Sequence, residues 1–289
     1  MVSVRLMTYN HGKYIAQAIQ SILDQKVDFN VEVVIGDDFS ADNTLEVARS
    51  FESTDRVTIK ILEREKGDAY WQKRQELGRL YNFTNIMENC TGKYIALLDG
   101  DDYWVDPNKL QTQVDFMEAN PDYTVSMGLV NKEFESSGRI KRKSEWVNPE
   151  KDGTYTLSDY IKRAFSQTPT FLFRNTHTSF PDWFYDVHAG DQSCVVLYTA
   201  QGGKIKVHNS VFAVYRVNAN SVSHTVSFNK HSKFLETIDI WDKFLDGKYK
   251  EELNYNRRRY KLKEGLSNCK NKFCKGIYYI RLRFLEGWN

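Results

Sequence analysis

At 289 residues, 41% hydrophobic and 14% aromatic, the chain has apolar material for one large folded domain plus an appendage, which excludes a disordered polymer. No apolar run approaches the roughly 18–20 residues of a membrane-spanning helix. The N-terminal MVSVRLMTYN lacks the apolar core of an export signal, so the expected compartment is the cytoplasm.

The first half alternates strand-like and helix-like segments. Val2–Asn10 reads as a strand, and Lys13–Gln25 as an amphipathic helix with Ile15, Ala18, Ile19, Ile22 and Leu23 at helical spacing. Val31–Asp38 is a short buried strand. Ser40–Phe51 is a second helix, with Ser40 or Asp42 as its cap. Val57–Glu63 is a third strand and Gln72–Asn89 a third helix. The fourth strand, YIALLDGDD, begins at Tyr94, and Pro107 opens a helix through Met117. Strands joined by crossover helices predict a mostly parallel sheet covered on both faces, with ligands bound outside the carboxyl ends of its strands. Thr8-Tyr9-Asn10, Asp37-Asp38 and Asp99-Gly100-Asp101-Asp102 all fall at such ends.

Past Pro121 the pattern changes. Tyr123–Phe134 and Pro169–Asn175 read as strands, Ser158–Phe165 as a helix, and DQSCVVLYTAQ after Gly190 as another. Lys204–Val217 is extended, and from about Ser227 the chain turns helical and basic. The net charge of +2 hides this asymmetry, because residues 248–289 carry 12 Lys and Arg against 4 Glu. Such a tail predicts peripheral contact with an anionic membrane surface, the alternative being a solvated helical face. Cys90, Cys194, Cys269 and Cys274 lack zinc-type spacing and are expected as free thiols. No nucleic-acid partner is expected.

Two carboxylates at i and i+2 on a strand end suit one hard divalent cation whose shell is completed by phosphate oxygens. Taken alone, Asp99-Gly100-Asp101 also fits a solvated acidic turn. Asp37-Asp38 has helix capping as its alternative role, and His11 a place in a turn.

The ordered set is far more specific. V-S-V-x-L-x-T-Y-N, then V-V-I-x-D-D-x-S-x-D-N-T, then G-K-Y-I-A-L-L-D-G-D-D-Y-W followed by P-x-K-L resembles family 2 glycosyltransferases, densely over residues 2–120 and more loosely to Val222. The resemblance implies an inverting enzyme of GT-A fold: a mostly parallel central sheet flanked by helices, here with a C-terminal helical extension. It divides the chain into residues 1–225, with a nucleotide-sugar half to 120 and an acceptor and catalytic-base half from 121, and a basic extension over 226–289. By resemblance Thr8, Tyr9, Asn10, Asp37, Asp38, Asp99 and Gly100 contact the donor, and Asp101 holds Mn2+ or Mg2+. Asp102 is an acidic neighbour without an assigned role. Arg64, Arg74, Arg79 and Asn85 are alternatives for the donor phosphates.

In HAGDQSCVV, Asp191 matches the catalytic base, its alternative being a carboxylate that stabilises a helix start. VFAVYRVNANSVS resembles a segment that folds over the donor. Arg216 fits a diphosphate contact, whereas relatives often carry histidine where Asn218 stands, and His224 follows later. Trp104, Trp183, Phe184, Tyr185 and His188 are acceptor candidates, with core packing the commoner use of aromatics.

The implied donor is a nucleoside diphosphate sugar, with UDP expected first, and the acceptor a saccharide or lipid-linked saccharide in bacterial surface polysaccharide assembly. The implied location is cytoplasmic, at the inner face of the membrane. Rival functions are a sugar-phosphate nucleotidyltransferase, a non-catalytic nucleotide-sugar binder and a metal-dependent phosphohydrolase. The first wants a glycine-rich loop that TYNHGKYI lacks, and the second has no use for a base at Asp191. The third gives Thr8 and Asp38 no purpose.

Overall fold

The computed structural model describes residues 1–142, 153–217 and 230–286. Strands β1 (Val2–Thr8), β2 (Val31–Asp37), β3 (Val57–Ile61) and β4 (Tyr94–Asp99) pair in parallel in the order β3-β2-β1-β4. Most of their residues are apolar and buried, as strands covered on both faces must be. Helices α1 (Ile15–Leu23) and α2 (Thr44–Arg49) follow the first two strands. Their inner residues, including Ile15, Ile19 and Ala48, pack with Val4, Leu6 and Ile35 on one face. Phe83 and Ile86 of α4 (Leu80–Glu88) pack with Val34, Ile95 and Leu97 on the other.

The expected single helix over Gln72–Asn89 is two, α3 (Ala69–Leu77) and α4. Gly78 separates them at φ +74°, a left-handed conformation that glycine adopts without a steric penalty. The helix expected at Pro107 begins two residues later, as α5 (Lys109–Ala119). Helix α2 starts at Thr44 rather than Ser40, whose hydroxyl is taken by Asp37.

The sheet continues past β4 through β9 (Leu172–Arg174), β6 (Tyr123–Phe134), β10 (Lys204–Val217) and β5 (Tyr103–Trp104). Only β9 and β5 oppose the common direction on this path, since β9 is antiparallel to β4 and β6, β10 is parallel to β6, and β5 is antiparallel to β10. Short strands β7 (Arg139–Arg142) and β8 (Gly153–Tyr155) attach to β6 and β10. The strand expected over Pro169–Asn175 is shorter, because Thr168–Thr170 forms a 3-10 turn ahead of β9. Helices α6 (Leu157–Lys162) and α7 (Gly190–Thr199) complete this half.

The helical extension comprises α8 (Lys230–Phe244), α9 (Lys250–Asn268) and α10 (Lys272–Leu285). It docks through its own core, with Ile238, Trp241 and Leu253 against Leu157, Ile161 and Val196. Trp241 Nε1 donates to Ser193 Oγ at 3.0 Å, and Asn256 Nδ2 to the Ile161 carbonyl at 2.7 Å. The expected boundary after residue 225 lies outside the described residues.

The expectation of four free thiols is corrected. Cys90 and Cys194 are free and buried, but Cys269 and Cys274 form a disulfide. The expectation of a basic helical stretch from about Ser227 placed no break here. Helix α9 ends at Asn268, and Asn271 caps α10 by accepting from Cys274 N, so the turn brings the two Cα atoms to 5.7 Å.

Candidate active site

Strand register gathers the first cluster. Thr8 pairs with Asp37, and Met7 with both Gly36 and Asp99, so three strands end along one rim. Above them the loops after β1 and β2 are fastened together. Asn10, at φ +54°, donates its N–H to Ser40 Oγ at 2.8 Å, and its Oδ1 accepts from Ala41 N at 2.8 Å. His11 N donates to Thr44 Oγ1 and Gly12 N to Asp42 Oδ2. Asn10 is therefore a loop fastener, while Tyr9 stands exposed. A Cβ on Gly100 would sit 2.9 Å from both Thr8 Oγ1 and His11 Nδ1, too close for any other residue at that backbone.

The rim carboxylates are not equivalent. Asp37 is buried and accepts from the N–H and hydroxyl of Ser40. Burial pushes its pKa up, and the Ser40 bonds and the Arg64 charge oppose that. Asp38 is held bidentately by Arg74, at 2.8–3.1 Å, with Tyr70 Oη at 3.2 Å. Asp99 Oδ1 accepts from Arg5 Nη2 at 2.7 Å. Arg5 is wholly buried, its guanidinium 4.7 Å from the Phe83 ring centroid, and its Nε and Nη1 have no partner among the described residues. Sequence reasoning passed over Arg5, although a charge in the middle of the buried run VSVRLMT was its signal.

Asp101 lies with its Oδ2 3.9 Å from His11 Nε2. Asp102 takes a structural role: it is buried, and its Oδ1 accepts from Arg216 N at 2.8 Å. Burial first, then the charges of Asp101 and Asp99, drive its pKa well above the carboxylate range. Arg216 is brought to the motif, donating from Nη1 to the Asp101 carbonyl at 3.0 Å and from Nε to Glu133 at 3.2 Å. The segment after it, with Asn218 and His224, lies outside the described residues.

Asp191 opens α7 and reaches the same edge by another route. Strand β9 runs antiparallel to β4, with Ala96 opposite Leu172, so residues preceding Leu172 lie toward Asp99. The 3-10 turn there is pinned by Trp104, whose Nε1 donates to the Pro169 carbonyl at 2.7 Å. Its first residue, Thr168, donates from Oγ1 to Asp191 Oδ2 at 2.8 Å, while Gln192 N donates to Oδ1 at 2.8 Å. Arg79 donates to the His188 carbonyl just upstream. Burial lowers the Arg79 pKa and the charge of Asp191 opposes the shift.

The other basic candidates separate. Arg64 donates to the Asp37 carbonyl and to Asn82 and Asn85, with its guanidinium 3.7 Å from the Tyr70 ring centroid. A cleft of about 250 Å³ opens beside it, lined by Asp37, Phe39, Ser40, Leu62, Arg64 and Lys66. Its lining includes neither Asp99 nor Asp101. Among the acceptor candidates, Trp104 and Phe184 are core residues, Trp183 packs against Phe244, and Tyr185 is bonded to Thr84. The His188 ring meets Phe234 edge-on.

No group of three His, Cys, Asp or Glu converges as a metal cage among the described residues. The site fits a cation of another kind. Asp101 supplies a carboxylate on a rim where Thr8 Oγ1 and His11 Nδ1 are buried without partners. Mg2+ and Mn2+ accept one or two protein carboxylates and take the rest of their shell from substrate phosphates and water.

This mixed α/β chain, with a parallel four-stranded half and helices on both of its faces, has the fold of GT-A sugar-nucleotide transferases. The truncated TarS of Staphylococcus aureus with UDP-GlcNAc bound superposes on this chain with a TM-score of 0.67 at 18% identity, covering 99% of this chain and 83% of that one. The chain belongs to glycosyl transferase family 2, whose model matches residues 3–179. An uncharacterized Mycobacterium tuberculosis protein is 28% identical over 236 residues, 82% of this chain, which spans 64% of that relative's length. Escherichia coli WfaP, named as a UDP-Glc:alpha-D-GlcNAc-diphosphoundecaprenol beta-1,3-glucosyltransferase, is 26% identical over 224 residues, 77% of this chain and 80% of its own.

Proposed function

We propose that this chain transfers a sugar from a nucleoside diphosphate sugar to an acceptor hydroxyl with inversion, in the assembly of a bacterial surface polysaccharide. The observation that carries this is the Thr168–Asp191 hydrogen bond, on a turn directed by β9 toward the rim of Asp99 and Asp101. Inversion needs one carboxylate to take the acceptor proton as its oxygen attacks C1 from the face opposite the leaving group. Asp191 takes that role. Thr168 on Oδ2 and Gln192 N on Oδ1 fix the carboxylate's orientation, and the second lone pair of each oxygen is left for the acceptor. Oxocarbenium character in the transition state also favours a nearby carboxylate.

On the donor side, Thr8 and the Asp37-Asp38 pair face the nucleoside, and Asp99 the ribose. Arg74, paired with Asp38, places a positive charge on this side. Asp101 would hold Mn2+ or Mg2+, which when bound offsets the charge on the departing diphosphate. Arg216, next to Asp101, adds a fixed positive charge on the same side. UDP is the expected nucleotide. A saccharide carried on a lipid is the expected acceptor, as the name of the E. coli relative describes for that protein. The setting is the cytoplasmic side of the membrane.

A panel of UDP-, dTDP- and GDP-sugars with Mn2+ or Mg2+, scored for donor binding and turnover, tests the reading. Turnover with release of a nucleoside diphosphate supports it. Tight binding without turnover toward any saccharide or lipid-linked saccharide acceptor would leave a binding protein instead. Pyrophosphate-dependent formation of a nucleoside triphosphate would make it a nucleotidyltransferase.

A further inference from the structure

Helix α10 has two unlike faces. One packs on α9: Tyr278 fills the space where a Cβ on Gly265 would stand, at 2.2 Å. Tyr255 Oη donates to the Leu285 carbonyl at 3.2 Å, and Arg259 pairs with Glu286 at 2.7 Å. The disulfide between Cys269 and Cys274 closes the turn between the helices. The other face carries Phe273, Ile277, Ile280 and Phe284 at i, i+4, i+7 and i+11, which is one stripe along a helix. These residues are 81%, 39%, 67% and 86% exposed. Most large apolar side chains elsewhere are buried, so four aligned exposures on one short helix call for an occupant.

The charges say which occupant. Lys272, Lys275, Arg281 and Arg283 are exposed on the same helix, and Lys270 just precedes it. No Asp or Glu occurs between Lys270 and Leu285. A second copy of this face would bring like charges together, and an acid-free helix lacks the mixed charges of ordinary protein contacts. An apolar stripe of Phe and Ile flanked by Lys and Arg matches a bilayer surface with anionic headgroups, where side chains enter the acyl boundary and cations meet phosphates.

We propose that α10 is a membrane-surface helix that lies flat on an anionic bilayer, with Phe273, Ile277, Ile280 and Phe284 inserted and the lysines and arginines at headgroup level. The α9 contacts, Tyr278 on Gly265, Tyr255 on Leu285 and Arg259 on Glu286, join the helix to the transferase body, so insertion sets the body's position above the bilayer. The partner is recognised without any sugar, so this inference and the transferase reading stand or fall separately.

The test is flotation of the whole chain with vesicles of phosphatidylcholine alone, or with about a third phosphatidylglycerol. The chain is expected to float with the anionic vesicles and to be released at salt on the order of 0.5 M. Ile280→Ser/Phe284→Ser should weaken partition at least about tenfold, since two large apolar side chains no longer enter the bilayer. Lys272→Gln/Arg283→Gln should weaken it about fivefold per charge on anionic vesicles only. An unchanged melting temperature in both variants, expected for exposed positions, separates surface loss from unfolding. Failure of the wild type to float with anionic vesicles, or undiminished flotation of the Ser variant, overturns the proposal. So does self-association that the Ser variant abolishes in the absence of any vesicle binding.

Discussion

The rim over residues 8–102 and the segment over residues 168–199 carry carboxylates to the same edge of the sheet by different physical means. In the rim, register does the positioning: adjacent parallel strands end together, and Thr8, Asp37 and Asp99 arrive side by side. In the second segment no strand end carries the carboxylate. Asp191 begins a helix, and a hydrogen-bonded relay through Thr168 and the Trp104-pinned turn sets its place. The rim is also heavily compensated, with Arg5 on Asp99 and Arg74 on Asp38, whereas Asp191 receives one side-chain hydroxyl. On the proposed reading, a donor-binding edge tolerates fixed ion pairs, whereas a base must keep a lone pair for a proton and cannot be held by an ion pair.

That contrast can be broken most severely at Asp191. Asp191→Asn should lower kcat for transfer by about 10²–10⁴, the range expected for a positioned general base, while donor binding is retained. Wild-type-like turnover would remove it from the chemistry. Asp101→Asn should cost about 10²–10³ in rate, as loss of one electrostatic stabiliser of the leaving group. Here the metal dependence of donor binding should disappear too, which titration of UDP with and without Mn2+ reads directly.

The relay is sharpened by Thr168→Val, which removes one hydrogen bond to a charged group and should lower kcat about tenfold. Its donor KM should not move, and a change in KM alone would sever Thr168 from the base. The smallest expected effect on rate belongs to Arg5→Met, which touches no substrate. Losing a buried partner of Asp99 should cost about 1–3 kcal/mol of stability and raise the donor KM a few-fold. A melting curve and steady-state kinetics on the same preparation check both.

Much of the rim was legible because parallel strands leave a simple trace. Apolar runs at Val2–Thr8, Val31–Asp37 and Tyr94–Asp99 end in polar residues, and pairing in register does the rest. The second segment was legible only by resemblance, since HAGDQSCVV by itself is any acidic helix start and Thr168 leaves no mark in sequence. Other features depended on tertiary contacts. Asp102 looked like a third rim carboxylate, but it points inward to Arg216 N and serves to join the motif to β10. Asn10 fastens two loops, a contact that its place after β1 does not announce. The disulfide escaped notice because the helix break at Asn268–Asn271 is set by a side-chain cap rather than by Gly or Pro.

The division between a binding rim and a separate base is tested most directly by equilibrium titration of Asp191→Asn with UDP and Mn2+, followed by single-turnover transfer on the same sample. Donor affinity and metal dependence equal to wild type, together with loss of transfer by at least about a hundredfold, is the expected result. Loss of metal-dependent UDP binding in Asp191→Asn, or transfer at the wild-type rate, would contradict it.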